Sequence, residues 1–315
     1  MRKPIPIVLL LLAVAFVTPR ASRGDEPATV GDLVLALTRD TSWRHVRSIR
    51  LSFDTHHPQG LVRAGDVFLI SSVEVRRPTR RYPQPVDGRD RDTGEGVGHL
   101  FKADSAGRLL AGVTLGEGAV YHPGGIDYDG MYVWVPVAEY RPDSRSIVYR
   151  VNPETLRAEE VLRVDDHIGA VVHDIDGRAL HGVSWGSRRF YRWALREGRV
   201  GDGVRPSEPS PNPSHYVDYQ DCRYAGKRRM LCTGIATLRQ SPDATRFVLG
   251  GIDLVSLEDG RPVHQVPLPL WTADGLNMAR NPVWFEADGK TLRGYFMPED
   301  DESTIYVYEA AIGSR

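Results

Sequence analysis

The sequence predicts an all-β fold, a single β-propeller of five blades, with six blades as the alternative. Three observations carry that expectation. Helical periodicity is almost absent, and short runs rich in Val, Ile, Tyr, Phe and Trp are separated by Gly, Asp and Pro turns. Three stretches repeat one another: His57-Pro58-Gln59-Gly60-Leu61, His122-Pro123-Gly124-Gly125-Ile126 and Asn281-Pro282-Val283-Trp284-Phe285. Each opens a strand-like run that reaches a turn at Gly65-Asp66, Asp129-Gly130 or Asp288-Gly289. A recurring unit of this kind marks a repeat architecture, and one face of the repeat is expected to carry the chemistry. Finally, the strand count leaves one gap at the end of the chain and one spare strand near its beginning.

The elements follow in order. Only Asp32–Arg39 reads as a short helix, and Leu33, Leu35 and Leu37 fit it poorly. The first blade takes Leu61–Leu69, Val67–Glu74, His99–Ala103 and Arg108–Leu115. The second takes Gly125–Tyr128, Met131–Ala138, Ser146–Asn152 and Ala158–Val164. The third takes Ala170–Asp174, Ala179–Trp185, Arg189–Leu195 and a poor fourth strand near Arg199. The fourth takes Tyr216–Tyr224, Arg229–Ile235, Arg246–Leu257 and Pro262–Leu268. The fifth has three runs, Val283–Glu286, Leu292–Met297 and Thr304–Ala310. The spare strand, Arg44–Phe53, is expected to complete this last blade and to hide its open edge. Weak strands near Val200 and Thr237 are what a sixth blade would be built from. The Pro-rich stretch Gly201–Ser214 reads as a surface connection, because the repeat resumes at His215.

The N-terminus reads as a targeting segment. Arg2 and Lys3 precede an apolar stretch, Ile5–Val17, that is short for a bilayer span, and small and polar residues follow at Ala21–Asp25. Residues 1–24 are expected to be a signal peptide, 25–43 an N-terminal segment and 44–315 the propeller domain. The protein is then periplasmic or secreted, with no transmembrane segment after signal removal. In an oxidising compartment Cys222 and Cys232, which flank a hairpin-like Tyr224–Lys227, are placed for a cross-strand disulfide. With 40 Lys and Arg against 41 Asp and Glu, the chain lacks the basic footprint of a nucleic-acid binder. The expected partner is a small-molecule or carbohydrate ligand, and the expected state is a monomer.

Propeller geometry assigns a face. The innermost strand of each blade runs from one face to the other and the second strand returns. The start of the first strand and the end of the second therefore share a mouth. The starts carry His57, His122, His167, His215 and Asn281. The ends carry Glu74, Glu139, Trp185 with Arg188, and Glu299-Asp300-Asp301. The longest loop, Val75–Gly98, belongs to the same face and is long enough for a lid.

Three chemistries fit those residue types. His57, His122, His167 and His215 could surround a divalent transition metal, since imidazole suits zinc, copper, iron or nickel better than calcium. Glu74, Glu139 and Glu299, with Arg188, could do metal-free acid–base work. Tyr140, Trp185 and Asn281 could hold a sugar or small organic ligand. Each residue also has a structural use: histidines can cap strand starts, carboxylates can pair with Arg76, Arg141 or Arg188, and aromatics can pack blade against blade. The reading favoured is a metal-assisted hydrolase or lyase, and the alternative is a non-catalytic ligand-binding or interaction scaffold.

The runs Val86–Asp92, Tyr121–Gly130, Val183–Tyr191, Ser214–Cys222 and Pro298–Asp301 resemble an uncharacterised bacterial propeller family, a domain of unknown function. That resemblance implies the fold and no activity. More loosely, the His-Pro-x-Gly strand starts resemble lactonase and strictosidine-synthase-like propellers. Those hold calcium through Glu, Asn and Asp, whereas this chain offers His at most such positions.

Overall fold

The computed structural model describes residues 27–196, 199–200, 208–241 and 243–313. The expected signal peptide lies outside the described residues. Five antiparallel sheets follow one another along the chain as the blades of a propeller. The first blade is built from His57–Ala64, Val67–Arg77, Glu95–Asp104 and Leu109–Leu115. The second has Val120–Pro123 and Asp127–Tyr128, both against Val133–Glu139, then Ser146–Val151 and Ala158–Val164. The third has Ile168–Asp174, Ala179–Ser184 and Arg189–Arg196, whose outer edge is met by two short pieces, Arg199–Val200 and Ser210–Pro211. The fourth has Asp218–Tyr224, Arg229–Leu238, Phe247–Ser256 and Pro262–Pro267. The fifth has Val283–Asp288, Thr291–Phe296 and Thr304–Ala311.

The fifth blade is completed by Arg44–Arg50, which pairs with Thr304–Ala311 in a register running from Arg50 opposite Thr304 to Arg44 opposite Glu309. Ring closure by the N-terminal strand and the count of five blades are thus both as expected. Turn chemistry set the hairpins: Gly65 and Gly289 sit at φ +62° and +57°, a backbone that L side chains rarely adopt. Two element boundaries differ from expectation. The helix is Val30–Val34, earlier than Asp32–Arg39, because Thr29 and Asp32 form a reciprocal capping box there. The second blade begins at Val120, and its inner strand is interrupted at Gly124–Ile126. There the backbone leaves its own blade and bridges Gly125 to Ala170 of the next one.

Burial follows the seams between blades. Leu61, Ile70 and Leu100 of the first blade pack with Trp284, Tyr295 and Ile305 of the fifth. Trp134 and Val148 of the second pack with Ile168, Leu180 and Trp193 of the third. Val172 and Phe190 of the third pack with Cys222, Cys232 and Val255 of the fourth. The N-terminal helix adds Leu33, Val34 and Leu37 to the cluster shared by the fourth and fifth.

The channel itself is plugged by a carboxylate. Asp221, on the inner strand of the fourth blade, accepts from the backbone N–H of Leu61 in the first and of Ile126 in the second, each at 3.1 Å. Three inner strands therefore meet at one side chain. Gly125 is required beside it, because a Cβ there would stand 2.6 Å from Asp221 Oδ1. Burial pushes the Asp221 carboxyl well above the usual range, and the two N–H donors oppose that push. Arg223, half-buried, stacks on Trp284 with its guanidinium carbon 3.4 Å from the ring centre.

Candidate functional site

A β-bulge explains how the mouth residues are aimed. In the first, third and fourth blades the inner ladder slips by one residue between Pro58 and Gly60, Ile168 and Ala170, and Tyr219 and Asp221. The bulged residues are Gln59, Gly169 and Gln220. A bulge bends the strand and re-aims the side chains before it. Two positions earlier stand His57, His167 and Asp218. His122 holds the matching place in the second blade, opposite Ala138 as His57 is opposite Val73. The fourth blade therefore presents Asp218 at this position. His215 lies three residues upstream of it.

His57, His122 and His167 line one cavity of about 210 Å³, together with Gln59, Tyr140, Trp185, Tyr219 and Gln220. His57 Nδ1 lies 2.8 Å from Asp300 Oδ1. A carboxylate only accepts, so Nδ1 carries the proton and Nε2 keeps its lone pair in the neutral ring. Asp300 is itself held by Arg280 at 2.7 Å and Asn281 at 2.9 Å. Burial opposes its ionisation, but the bonds from His57, Arg280 and Asn281 outweigh that and hold the carboxyl below the usual range. His167 Nδ1 lies 2.8 Å from the Glu139 carbonyl, which fixes the same tautomer. Burial lowers the His167 pKa to about 4, so the ring is neutral. His122 is 5% exposed, and both of its ring nitrogens are buried without a hydrogen-bond partner. Burial pushes its pKa well below the ordinary value, and the nearby His167 and His57 push in the same direction.

Aromatic rings form one wall. The His122 ring stacks on Tyr140 at 4.0 Å, Trp185 meets His167 edge-on at 4.7 Å, and Tyr140 and Trp185 are 5.9 Å apart. The long loop closes over this wall as a hairpin, Arg81–Val86 with Arg89–Arg91. The Arg91 guanidinium sits 5.3 Å from the Trp185 ring centre, and the Arg91 carbonyl accepts from Arg141 at 3.4 Å. Tyr121 Oη donates to the Thr93 carbonyl and pins the loop's far end.

The other residues singled out from the sequence are placed differently. Glu139 is buried and accepts from both Arg141 and Arg145 at 2.7 Å, so its side chain is spent on ion pairing. Those two partners, working against burial, hold its pKa below the usual value. Glu299 accepts from Tyr306 Oη at 2.6 Å and from the Thr304 N–H at 3.2 Å. Glu74 pairs with Arg76 at 3.0 Å and faces His99 at 3.5 Å, away from the cavity-lining set. Asn281 is buried and bonds Asp300 and the Pro298 carbonyl, so it builds the loop behind His57. His215 is exposed and lies 2.7 Å from Arg188, which also pairs with Asp218; these three stand outside the cavity lining. Asp300 is a candidate whose contact with His57 is visible only in three dimensions.

The disulfide joins Cys222 and Cys232, directly opposite one another on adjacent strands of the fourth blade. Among the described residues no helix is long and apolar enough to cross a membrane.

These features define a five-bladed β-propeller with a histidine-lined cavity at one mouth. The chain belongs to the family of unknown function DUF6454, whose sequence profile matches residues 13–314. No curated protein matches it. Among solved structures it is similar to the glutaminyl cyclase of Myxococcus xanthus, with a TM-score of 0.50, 10% identity, and coverage of 86% of this chain and 97% of that one. It is also similar to the tail fibre of Staphylococcus aureus phage P68, with a TM-score of 0.51, 9% identity, and coverage of 87% and 53%. The WD40 domain of Toxoplasma gondii coronin gives a TM-score of 0.37 at 9% identity over 89% and 88%. At these identities the likeness to the first two is one of fold alone.

Proposed function

We propose that this protein is an exported hydrolase or lyase. In this reading His57, His122 and His167 hold a divalent transition metal beneath a small polar or carbohydrate ligand. The observation that carries it is His122. A buried ring with two unpartnered nitrogens is costly unless a ligand satisfies it. Its neighbours support the same reading, because His57 and His167 each have Nδ1 engaged by an acceptor. Such second contacts fix the tautomer and ring direction of metal-binding histidines. Burial favours the neutral form of His122 and His167, as ligation requires. Three imidazoles leave coordination positions open, and a bound ion of this kind would supply Lewis acidity and an activated water. The chain's own part is to aim the rings, to offer Tyr140 and Trp185 as a flat apolar wall, and to exclude water with the Arg91 hairpin.

A second reading is favoured by the spacing. The His122 and His167 ring centres are 5.9 Å apart, and the three histidines are not among the groups whose ligand atoms already lie within 4.8 Å of one another, so a shared ion would need the rings to draw in. Without metal, His57 Nε2, oriented by Asp300, would act as the general base towards a water or substrate hydroxyl.

The test is metal stoichiometry in protein purified without a histidine tag, stripped, and titrated with zinc. His122→Ala is expected to bind one equivalent less than wild type while keeping its circular dichroism. Equal stoichiometry in the two proteins would overturn the metal reading. A screen of esters, lactones and glycosides with Asp300→Asn then addresses the second. Turnover unaffected by that substitution would remove His57 as base, and no turnover of any class would leave the mouth a binding scaffold.

A further inference from the structure

A separate set of ligating side chains gathers at the seam where the ring closes. The connector between Arg44–Arg50 and His57–Ala64 carries Asp54 and His56, the second strand of the first blade, Val67–Arg77, carries Glu74 towards its end, and His99 lies on the third strand. Ligand atoms of His56, Glu74 and His99 all lie within 4.8 Å of one another, and those of Asp54, His56 and Asp301 do so as well. Asp301 belongs to the fifth blade, so the cluster spans the first and last repeats.

We propose that His56, Glu74 and His99 form a second metal site, a two-histidine, one-carboxylate set for zinc or a similar divalent ion, which clamps the closure seam. Several independent features point to it. His99 Nε2 and Glu74 Oε2 are 3.5 Å apart. That is close to the edge of a tetrahedron around zinc, about 3.3 Å for metal–ligand bonds of roughly 2.0–2.1 Å. The His56 and His99 rings stack with their centres 5.3 Å apart, so both can turn a ring nitrogen towards one ion. His99 is held in place by stacking on Phe101 at 5.0 Å. His56 adopts a left-handed backbone, φ +53°, which a residue with a Cβ takes up only when its surroundings impose it. Here they do: the Asp301 N–H donates to the His56 carbonyl at 2.6 Å, the Thr55 N–H donates to the Asp301 carbonyl at 2.8 Å, and Asp301 is itself at φ +55°. The backbone is thus bent to bring the His56 ring beside Glu74. Asp54 Oδ1 lies 3.3 Å from His56 Nδ1, the carboxylate–histidine contact that orients a ligand ring. Arg76, which now pairs with Glu74, is largely exposed and free to swing away when an ion takes its place.

The seam site is tested independently of the mouth. The full mature protein, tagless and stripped of metal, is titrated with zinc by calorimetry. Wild type is expected to bind at two classes of site. His56→Ala, His99→Ala and Glu74→Gln are each expected to lose one equivalent that His122→Ala retains. Saturating zinc should raise the melting temperature of His122→Ala by roughly 5 °C, and that rise should vanish when His99→Ala is added. Glu74→Gln keeps shape and packing, so it carries the test if an alanine variant folds poorly. Zinc stoichiometry in all three seam variants equal to wild type would overturn the proposal. Loss in the seam variants with none in His122→Ala would sustain the seam site and remove the mouth metal.

Discussion

Asp221 shows how much can rest on a single side chain. It takes N–H donors from two other blades across the axis, so truncating it orphans two buried backbone groups at once. Asp221→Ala is expected to cost about 3 kcal/mol, and Asp221→Asn, which keeps one acceptor, roughly half of that. Urea unfolding measures both, and a cost for the alanine variant below about 1 kcal/mol would show that the inner strands hold without this hub. At the same scale, the sequence made His57, His122 and His167 legible because each opens a strand in the repeat. Asp300 was legible only as one of three consecutive acids. Which of Glu299, Asp300 and Asp301 turns towards His57 depends on a loop conformation that no periodicity encodes. His56 and His99 escaped notice for another reason: neither opens an inner strand, and they meet only because the closing strand delivers its connector beside the first blade.

Strands and turns were readable because alternation and Gly or Asp turns are local signals. The bulges were not. A bulge adds one residue to one strand, and the sequence carries no mark of it at Gln59, Gly169 or Gln220. Aligning blades by His alone therefore put His215 where Asp218 belongs. The interrupted inner strand of the second blade was misplaced for a related reason, since Gly125 bridges to a neighbouring blade instead of continuing the ladder. The fourth blade also carries the covalent link. Cys222 and Cys232 are 10 residues apart in sequence and cross-strand neighbours. Closing so short a loop constrains the unfolded chain by about 3 kcal/mol on the chain-entropy estimate. The Cys222→Ala plus Cys232→Ala variant is expected to lose roughly 2–3 kcal/mol in denaturant unfolding, with the slope raised slightly by a more open unfolded state. An unchanged midpoint would mean that the pair adds nothing beyond its packing.

For the whole molecule, stability depends on closure. The fifth blade takes its outer strand from the start of the domain, and each core cluster is shared between neighbouring blades, so an open seam weakens more than one blade. Two truncations separate the contributions. Removing residues through 43 deletes the docked helix and keeps the strand, while removing residues through 52 deletes both. The second is expected to lower the melting temperature well beyond the first and to promote association through the bared edge of Thr304–Ala311. Similar melting of the two truncations would show that the ring does not need its N-terminal strand.

That closure also sets an order of events. Arg44–Arg50 leaves the ribosome early, yet its partner, Thr304–Ala311, is completed some 260 residues later. Until then the strand has no ladder to join and stays extended and unpaired. The seam can be sealed only after nearly the entire domain has emerged. An ion at His56, Glu74 and His99 would find its three ligands made early, but the Asp301 N–H that fixes the His56 backbone reaches it only when the last blade arrives.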